Sequence, residues 1–402
     1  MTAWAKIQQD WATNSKNKEI TGILLWDLSA AFDCLDADIL CKKLHLYGFD
    51  PRSVAWFRSF LSQRTQRVKI EDCLSEIANL ISGVPQGGIL SPPLYIIYVA
   101  DLQLWLKFVS AITYADDTST SVSGKLLKDV IRMLEEDAKN VLKFMASNGL
   151  VANASKTTLM FLNNKRNSED QNLNHTIQIG EATITQEKNA KLLGITLDDT
   201  QDWTTQITGT GGMIPSLNSR LFIIKRLSKA LSKNRLTKLV DSLYTSKIRY
   251  GLQLFGKVRI EEDDPKQKLL STLQVTQNKL ARFLNGCNIS DKINNKTIFE
   301  NTKLTSVNQL NAQIKLLEVW KSQNNKDYPI KWNTLVNQAQ RTSSRLIPEY
   351  RLTETGRTKI SNSTFKNDAA RLRNKAPQSI KNCKSLYTVK SEIKKFIKTL
   401  PL

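Results

Sequence analysis

The sequence predicts an α+β protein: an antiparallel sheet covered by helices, then a helical domain, then a basic C-terminal helical segment. Three observations carry this expectation. Between residues 20 and 200, short β-prone runs alternate with amphipathic helical spacing. After about Trp203 the strand signals stop and helical spacing takes over, and towards the C-terminus Lys and Arg accumulate. A chain of 402 residues exceeds the roughly 250–300 at which single cores stop growing, so two or three domains are expected, with bounds near 1–200, 201–300 and 301–402.

The first strand is expected over Ile20–Leu28, an apolar run that ends in a carboxylate, which puts Asp27 at a strand's C-terminal end. Ser29, Ala30, Ala31 and Phe32 then turn the chain into helical sequence. Asp50–Pro51 supplies an N-cap with proline at the first helical position, and Val54, Phe57, Phe60 and Leu61 form that helix's apolar face. Gly83 to Gly88 reads as a loop, and an apolar helix runs from near Ser91–Pro92 to about Leu106. Val109 to Val122 places two β-prone arms around Ala115-Asp116-Asp117, the pattern of a hairpin with acids at its tip. Leu126, Val130, Met133, Leu134, Val141, Leu142 and Met145 mark an amphipathic helix with Gly149 as its C′ residue. Thr157–Leu162, Thr176–Thr185 with a bend at Gly180, and Lys191–Leu197 read as further strands. Leu221–Tyr250 and Lys266–Leu284 read as helices, and Tyr328–Lys375 as a linker or loosely packed tail.

Composition narrows the chemistry. Five cysteines are scattered without a CxxC spacing, which argues against a disulfide framework or a zinc site, and two histidines leave little imidazole for catalysis. Carboxylates and lysines must carry the work. A net charge of +21 points to a polyanionic partner, nucleic acid first. From Arg341 onward fifteen Lys/Arg face four Asp/Glu, an excess suited to phosphate contacts and salt-sensitive binding. The longest apolar runs fall far short of a membrane span, and the first residues lack the pattern of a signal peptide. An intracellular protein is expected, in nucleus or cytoplasm, neither secreted nor in a membrane.

Two adjacent aspartates at a hairpin tip repel one another unless a cation compensates, and hard oxygen ligands select Mg²⁺, with Mn²⁺ as substitute. Asp27 is the candidate third carboxylate. Two such ions can activate a 3′-hydroxyl and stabilise leaving pyrophosphate.

Several segments, in order, resemble the reverse transcriptases of non-LTR (LINE-like) retrotransposons. Tyr114-Ala115-Asp116-Asp117 matches the YADD box, Asp27 to Asp33 the DLSAAFD box, and Ser82 to Pro92 the SGVPQG-x-LSP box. Asn153 to Thr157 looks like the N-x-x-K-T box, and Leu192-Leu193-Gly194-Ile195 like the strand that grips the primer end. The resemblance implies a right-hand polymerase palm with partial fingers over 1–200, a helical thumb over 201–300 and a basic C-terminal region over 301–402. It implies Asp27, Asp116 and Asp117 as metal-binding and catalytic residues, with Lys156 protonating the leaving pyrophosphate. Leu28, Phe32, Gln86 and Gly87 would bind the nucleotide, Phe32 as a ring against the sugar that disfavours a 2′-hydroxyl, and the Leu28 carbonyl would also contribute beside the metal-binding acids. Asp33 reads as a helix-start carboxylate outside the catalytic set. The implied partners are an RNA template, a DNA primer or target, and deoxynucleoside triphosphates.

The family's polymerase domain normally begins well before DLSAAFD, with strands that clamp the triphosphate, whereas 26 residues precede Asp27 here. A truncated copy, a partial gene model or one piece of a longer polyprotein would each account for that, and the isolated chain is expected to polymerise poorly. Two other readings stay open: a catalytically inactive, reverse-transcriptase-derived protein that binds RNA or DNA, and a group II intron maturase.

Overall fold

A computed structural model describes residues 2–153, 156–162, 175–288, 290–328 and 365–402. They fall into two compact units: Lys18–Gly194, and Met1–Asn17 with Ile195–Leu402. The second unit is therefore assembled from both ends of the chain.

The first unit is α+β. Its main sheet has four antiparallel strands in the order Thr158–Leu162, Ile20–Trp26, Asp117–Gly124, Ser110–Tyr114. All seven residues of Ile20–Trp26 are buried. A strand that is apolar throughout, rather than alternating, needs cover on both faces. The helix Leu127–Ser147 supplies one cover. Its buried stripe of Val130, Leu134, Ala138, Val141 and Met145 recurs every three or four residues. The approach is close: a Cβ on Gly22 would lie 2.7 Å from both Leu134 Cδ1 and Val130 Cγ1. That helix ends where expected, with Gly149 at φ +64°.

Caps place the other helices. Asp36 accepts from the Asp38 and Ile39 N–H groups to start Ala37–Leu46, and Asp50 accepts from Arg52 and Ser53 to start Pro51–Leu61. The apolar helix expected to run to Leu106 is α-helical only over Ser91–Val99 and tightens to a 3₁₀ helix over Ala100–Trp105. The chain then turns into Ser110–Tyr114 around Asp137, a buried carboxylate that accepts from the N–H groups of Lys107, Phe108 and Val109. Burial opposes ionisation of Asp137, but those three donors and the Asn140 amide outweigh it and hold the carboxyl below the usual range. Two short strand pairs, Arg64–Gln66 with Ala78–Leu80 and Lys69–Ile70 with Cys73–Leu74, form an exposed arm that no sequence signal marked. Thr176–Thr185 is the expected bent pair, Thr176–Ile179 with Ala182–Thr185. Lys191–Leu197 is not one strand: Leu193 and Gly194, both with positive φ, turn the chain between Asn189–Leu192 and Ile195–Asp198.

Among its described residues the second unit is helical apart from Ile195–Asp198. Near its N-terminal helix Thr2–Lys16, the rings of Trp4, Trp11, Trp203 and Phe255 pack edge-on or tilted at 5.5–6.0 Å. A wholly buried ion pair joins Lys315, on the helix Val307–Asn324, to Asp368, on the helix Phe365–Lys375. The C-terminal end of the expected tail is thus an ordered helix; residues 329–364 of that segment lie outside the described residues.

Candidate active site

The acids sit at one end of the main sheet of the first unit. Asp27 follows the buried strand Ile20–Trp26, and the register pairs Trp26 with Thr118. One residue further along brings Asp27 level with Asp117, the first residue of its neighbouring strand. Tyr114 pairs with Asp117, so Ala115 and Asp116 form the hairpin's two-residue turn. Ala115 makes the turn at φ +53°, a left-handed conformation costly for a residue with a Cβ. Negative charge concentrates here. The Asp117 carboxyl is held above the usual aspartate range, first by burial and then by the charges of Asp116 and Asp27.

Lys156 comes to the same place by a different route. Leu28 and Ser29 pair with Ala152 and Val151, and the Asn153 N–H donates to the Asp27 carbonyl at 2.8 Å. Asn153 in turn accepts from the N–H groups of Lys156 and Thr157. The Lys156 Nζ lies 3.7 Å from Asp27 Oδ2, with both side chains well exposed, so this pair adds little stability.

Among the described residues, no three His, Cys, Asp or Glu side chains stand close enough to hold a metal ion as placed. The chemistry of the donors does fit a hard divalent cation. Asp27, Asp116 and Asp117 offer carboxylate oxygen alone, in mutual repulsion that such a charge would relieve.

The loop bearing Gln86 and Gly87 is fastened to the turn bearing Phe32. Val84 N–H donates to the Phe32 carbonyl at 3.0 Å, Gly83 N–H to the Leu35 carbonyl at 2.7 Å, and Ser82 Oγ to the Asp33 carbonyl at 2.8 Å. Gly83 is required there: it has φ +85°, and a Cβ would lie 2.8 Å from the Asp33 Cα. Gly87 also has a positive φ, +83°, but faces open space. Phe32 is half-buried, its ring 4.7 Å from that of Tyr95 and tilted by 34°.

Two participants were missed by the sequence reading. Asp33 starts no helix, since the next one begins at Ala37 with Asp36 as its cap. Its carboxylate instead receives the Gln86 amide, Nε2 to Oδ1 at 2.9 Å and to Oδ2 at 3.1 Å. The signal available was its polarity: nothing in the helix pattern required an acid there. Tyr95 is fully buried behind Phe32, its hydroxyl without a hydrogen-bond partner among the described residues. Burial, and then the charge of Asp116, push that phenol well above the usual tyrosine range. At sequence level Tyr95 is one apolar helical position among several.

Residues 4–197 match the family described as reverse transcriptase (RNA-dependent DNA polymerase). Over that stretch the chain is similar to reverse transcriptases, including those of LINE-like, non-LTR elements. Among its relatives is the probable RNA-directed DNA polymerase from transposon X-element of Drosophila melanogaster, 25% identical over 308 residues, covering 75% of this chain and 32% of that protein. The RNA-directed DNA polymerase from mobile element jockey of the same fly is 25% identical over 280 residues, covering 67% and 29%. The chain thus spans about a third of the length of these relatives. Among solved structures, Candida albicans telomerase in complex with a fragment of telomeric RNA aligns over 85% of this chain and 55% of its own, at 14% identity and a TM-score of 0.36. Apo telomerase from Candida tropicalis aligns over 75% and 54%, at 12% identity and a TM-score of 0.37.

Proposed function

We propose that the chain is the palm and thumb portion of an RNA-directed DNA polymerase, which extends a primer 3′-hydroxyl with deoxynucleotides on an RNA template. The observation that carries this reading is the level register of Asp27 and Asp117 with Asp116 in the adjoining turn. On this reading Lys18–Gly194 contains the palm, and helices of the second unit form the thumb and the basic C-terminal region.

Asp27, Asp116 and Asp117 would hold divalent ions, Mg²⁺ or Mn²⁺, which when bound lower the cost of forming an attacking alkoxide and of releasing pyrophosphate. The protein's own residues do the rest. Lys156 sits on the carboxylate side of the site with an exposed ammonium, suited to neutralise a triphosphate and give a proton to the leaving oxygen. Phe32 offers a ring edge to the sugar, and its position is set by the backbone bond from Val84 and by the Tyr95 ring behind it. Gln86, Gly87 and the Leu28 backbone complete the nucleotide's surroundings. The net charge of +21 favours the phosphates of template and primer.

The test is primer extension on an oligonucleotide-primed RNA template with Mg²⁺ and deoxynucleotides, across a salt series. Asp116→Ala is expected to abolish extension while leaving salt-sensitive template binding intact. Extension that survives Asp116→Ala would overturn the assignment. Template binding without extension in the parent chain would favour the reading of a reverse-transcriptase-derived binding protein.

A further inference from the structure

We propose that the outward face of the C-terminal helix Leu386–Ile397 is a docking surface for single-stranded RNA, with the Tyr387 ring stacked on an unpaired base and Lys390, Lys394 and Lys398 on successive phosphates. The inference goes beyond the catalytic reading, since this helix belongs to the second unit and the acids belong to the first. It rests on that reading only in the choice of RNA over DNA, because the template is the strand such a polymerase reads.

One face of the helix is fixed in the protein. Val389, Ile393 and Ile397 are buried in a core shared with Leu316, Leu372 and Ile380. The opposite face is turned to solvent. Tyr387, Lys390, Lys394 and Lys398 recur on it at intervals of three and four residues, which sets them on one stripe. All three lysines are exposed, and Tyr387 is 86% exposed.

The fold does not account for this stripe. Lys390 with Lys394, and Lys394 with Lys398, are like charges four residues apart, a spacing that destabilises a helix. The helix's single acid does not relieve them: Glu392 Oε1 accepts from Lys395 at 2.7 Å, and its carboxylate also accepts from Ser379. Among the described residues, no carboxylate forms an ion pair with Lys390, Lys394 or Lys398. A cation near the C-terminus favours the helix dipole, which explains Lys394 and Lys398 but neither Lys390 in the middle nor the ring of Tyr387 in the first turn.

Charge and spacing identify the ligand. At a rise of about 1.5 Å per residue, successive lysines stand about 6 Å apart along the axis, comparable with the step between neighbouring phosphates of a strand. An aromatic ring open to water stacks on a base, and only a strand with unpaired bases presents a free base face. A duplex covers those faces with its own neighbouring pairs. A membrane is a poor fit, because the apolar face that would enter the lipid is already buried in protein.

The experiment is fluorescence anisotropy on the full chain with labelled oligouridylate, oligothymidylate and a blunt RNA duplex of equal length, across a salt series. Tyr387→Ala is expected to weaken oligouridylate binding about tenfold and duplex binding by less than about twofold, while Tyr387→Phe, which keeps the ring, matches the parent. Replacing Lys390, Lys394 and Lys398 together by Gln should lower the slope of log affinity against log salt by about 2, at roughly 0.7 per phosphate contact on a single strand. A strand carrying 4-thiouridine should photo-cross-link to the peptide that contains Tyr387. The substituted side chains are exposed, so the variants are expected to fold, and melting curves confirm it. Unchanged oligouridylate affinity in Tyr387→Ala, an equal loss for the duplex, cross-links confined to other peptides, or competition by polyglutamate as strong as by oligouridylate overturns the proposal. Tighter binding of oligothymidylate than of oligouridylate overturns the choice of RNA. Primer extension, read separately, decides the polymerase reading, so each can fail without the other.

Discussion

Replacing Asp368 by alanine should destabilise the second unit strongly, and the buried pair gives the magnitude. Lys315 and Asp368 have no solvent exposure. The Lys315 ammonium donates to Asp368 Oδ2 at 2.6 Å and to the Gly256 carbonyl at 2.8 Å, and the same Oδ2 accepts from the Val258 N–H at 2.9 Å. Burial outweighs the attraction of Asp368 and leaves the lysine below its usual range, so the pair is held at a cost in desolvation. Removing one partner strands the other charge, with a loss of about 3–5 kcal/mol. For 150–250 residues each kcal/mol moves the melting temperature by about 2–4 °C, so the drop should be roughly 6–20 °C. The double change Lys315→Met with Asp368→Leu removes both charges together, and should recover most of the loss. Calorimetry at neutral pH on the parent, the single variant and the double variant reads all three. A single variant within about 1 kcal/mol of the parent, or a double variant worse than the single one, would refute the reasoning.

Three further outcomes test the packing of the first unit. Gly22→Ala should destabilise the first unit by about 1–3 kcal/mol through overpacking against Val130 and Leu134, and urea unfolding measures it. Asp137→Asn should lose charge-assisted bonds to three backbone donors, each worth about 1.5–3 kcal/mol. Since the folded Asp137 carboxyl titrates below its ordinary value, its contribution is complete above the unfolded value near pH ~3.9 and fades as pH falls through the folded value. The variant's stability should therefore decline less steeply in acid than the parent's. Tyr95→Phe removes a buried hydroxyl without a partner and keeps the ring behind Phe32, so its melting temperature should equal or exceed the parent's; a clear fall would mean that the hydroxyl has a partner after all.

Several elements between residues 20 and 153 were legible because their signals are local. The hairpin around Asp116 and Asp117, the Asp50–Pro51 cap and the end of the long helix at Gly149 each follow from adjacent residues. What could not be read depends on contacts distant in sequence. Asp33 meets Gln86 across fifty-three positions, and Lys315 meets Asp368 across another fifty-three. No periodicity predicts such pairs. The arm over residues 64–80 was missed for another reason: its strands are two or three residues long and exposed, too short for alternation to register. The helix Phe365–Lys375 is strongly polar in sequence, and what it buries, Phe365, Ala369 and Leu372 together with Asp368 against Lys315, is decided by residues far along the chain.

The candidate site also shows where the fold gives up stability. Ala115 holds a left-handed turn, at a cost of roughly 1–2 kcal/mol for a residue with a Cβ, and Asp117 is held against the repulsion of two neighbouring acids. Neither feature improves packing. Both become intelligible if the hairpin tip must carry concentrated negative charge at the end of a strand that cannot move. The means of holding it are at hand: Ile20–Trp26 is buried along its whole length, it is paired on both edges, and a helix rests so closely on it that Gly22 has no room for a methyl group. A rigid strand keeps Asp27 level with Asp117 despite their repulsion. The same logic reaches Gln86, whose loop is tied by hydrogen bonds to the turn that follows Asp27. The acidic residues and the Gln86 loop are thus referred to one strand, so a substitution that loosens Ile20–Trp26 should disturb both together.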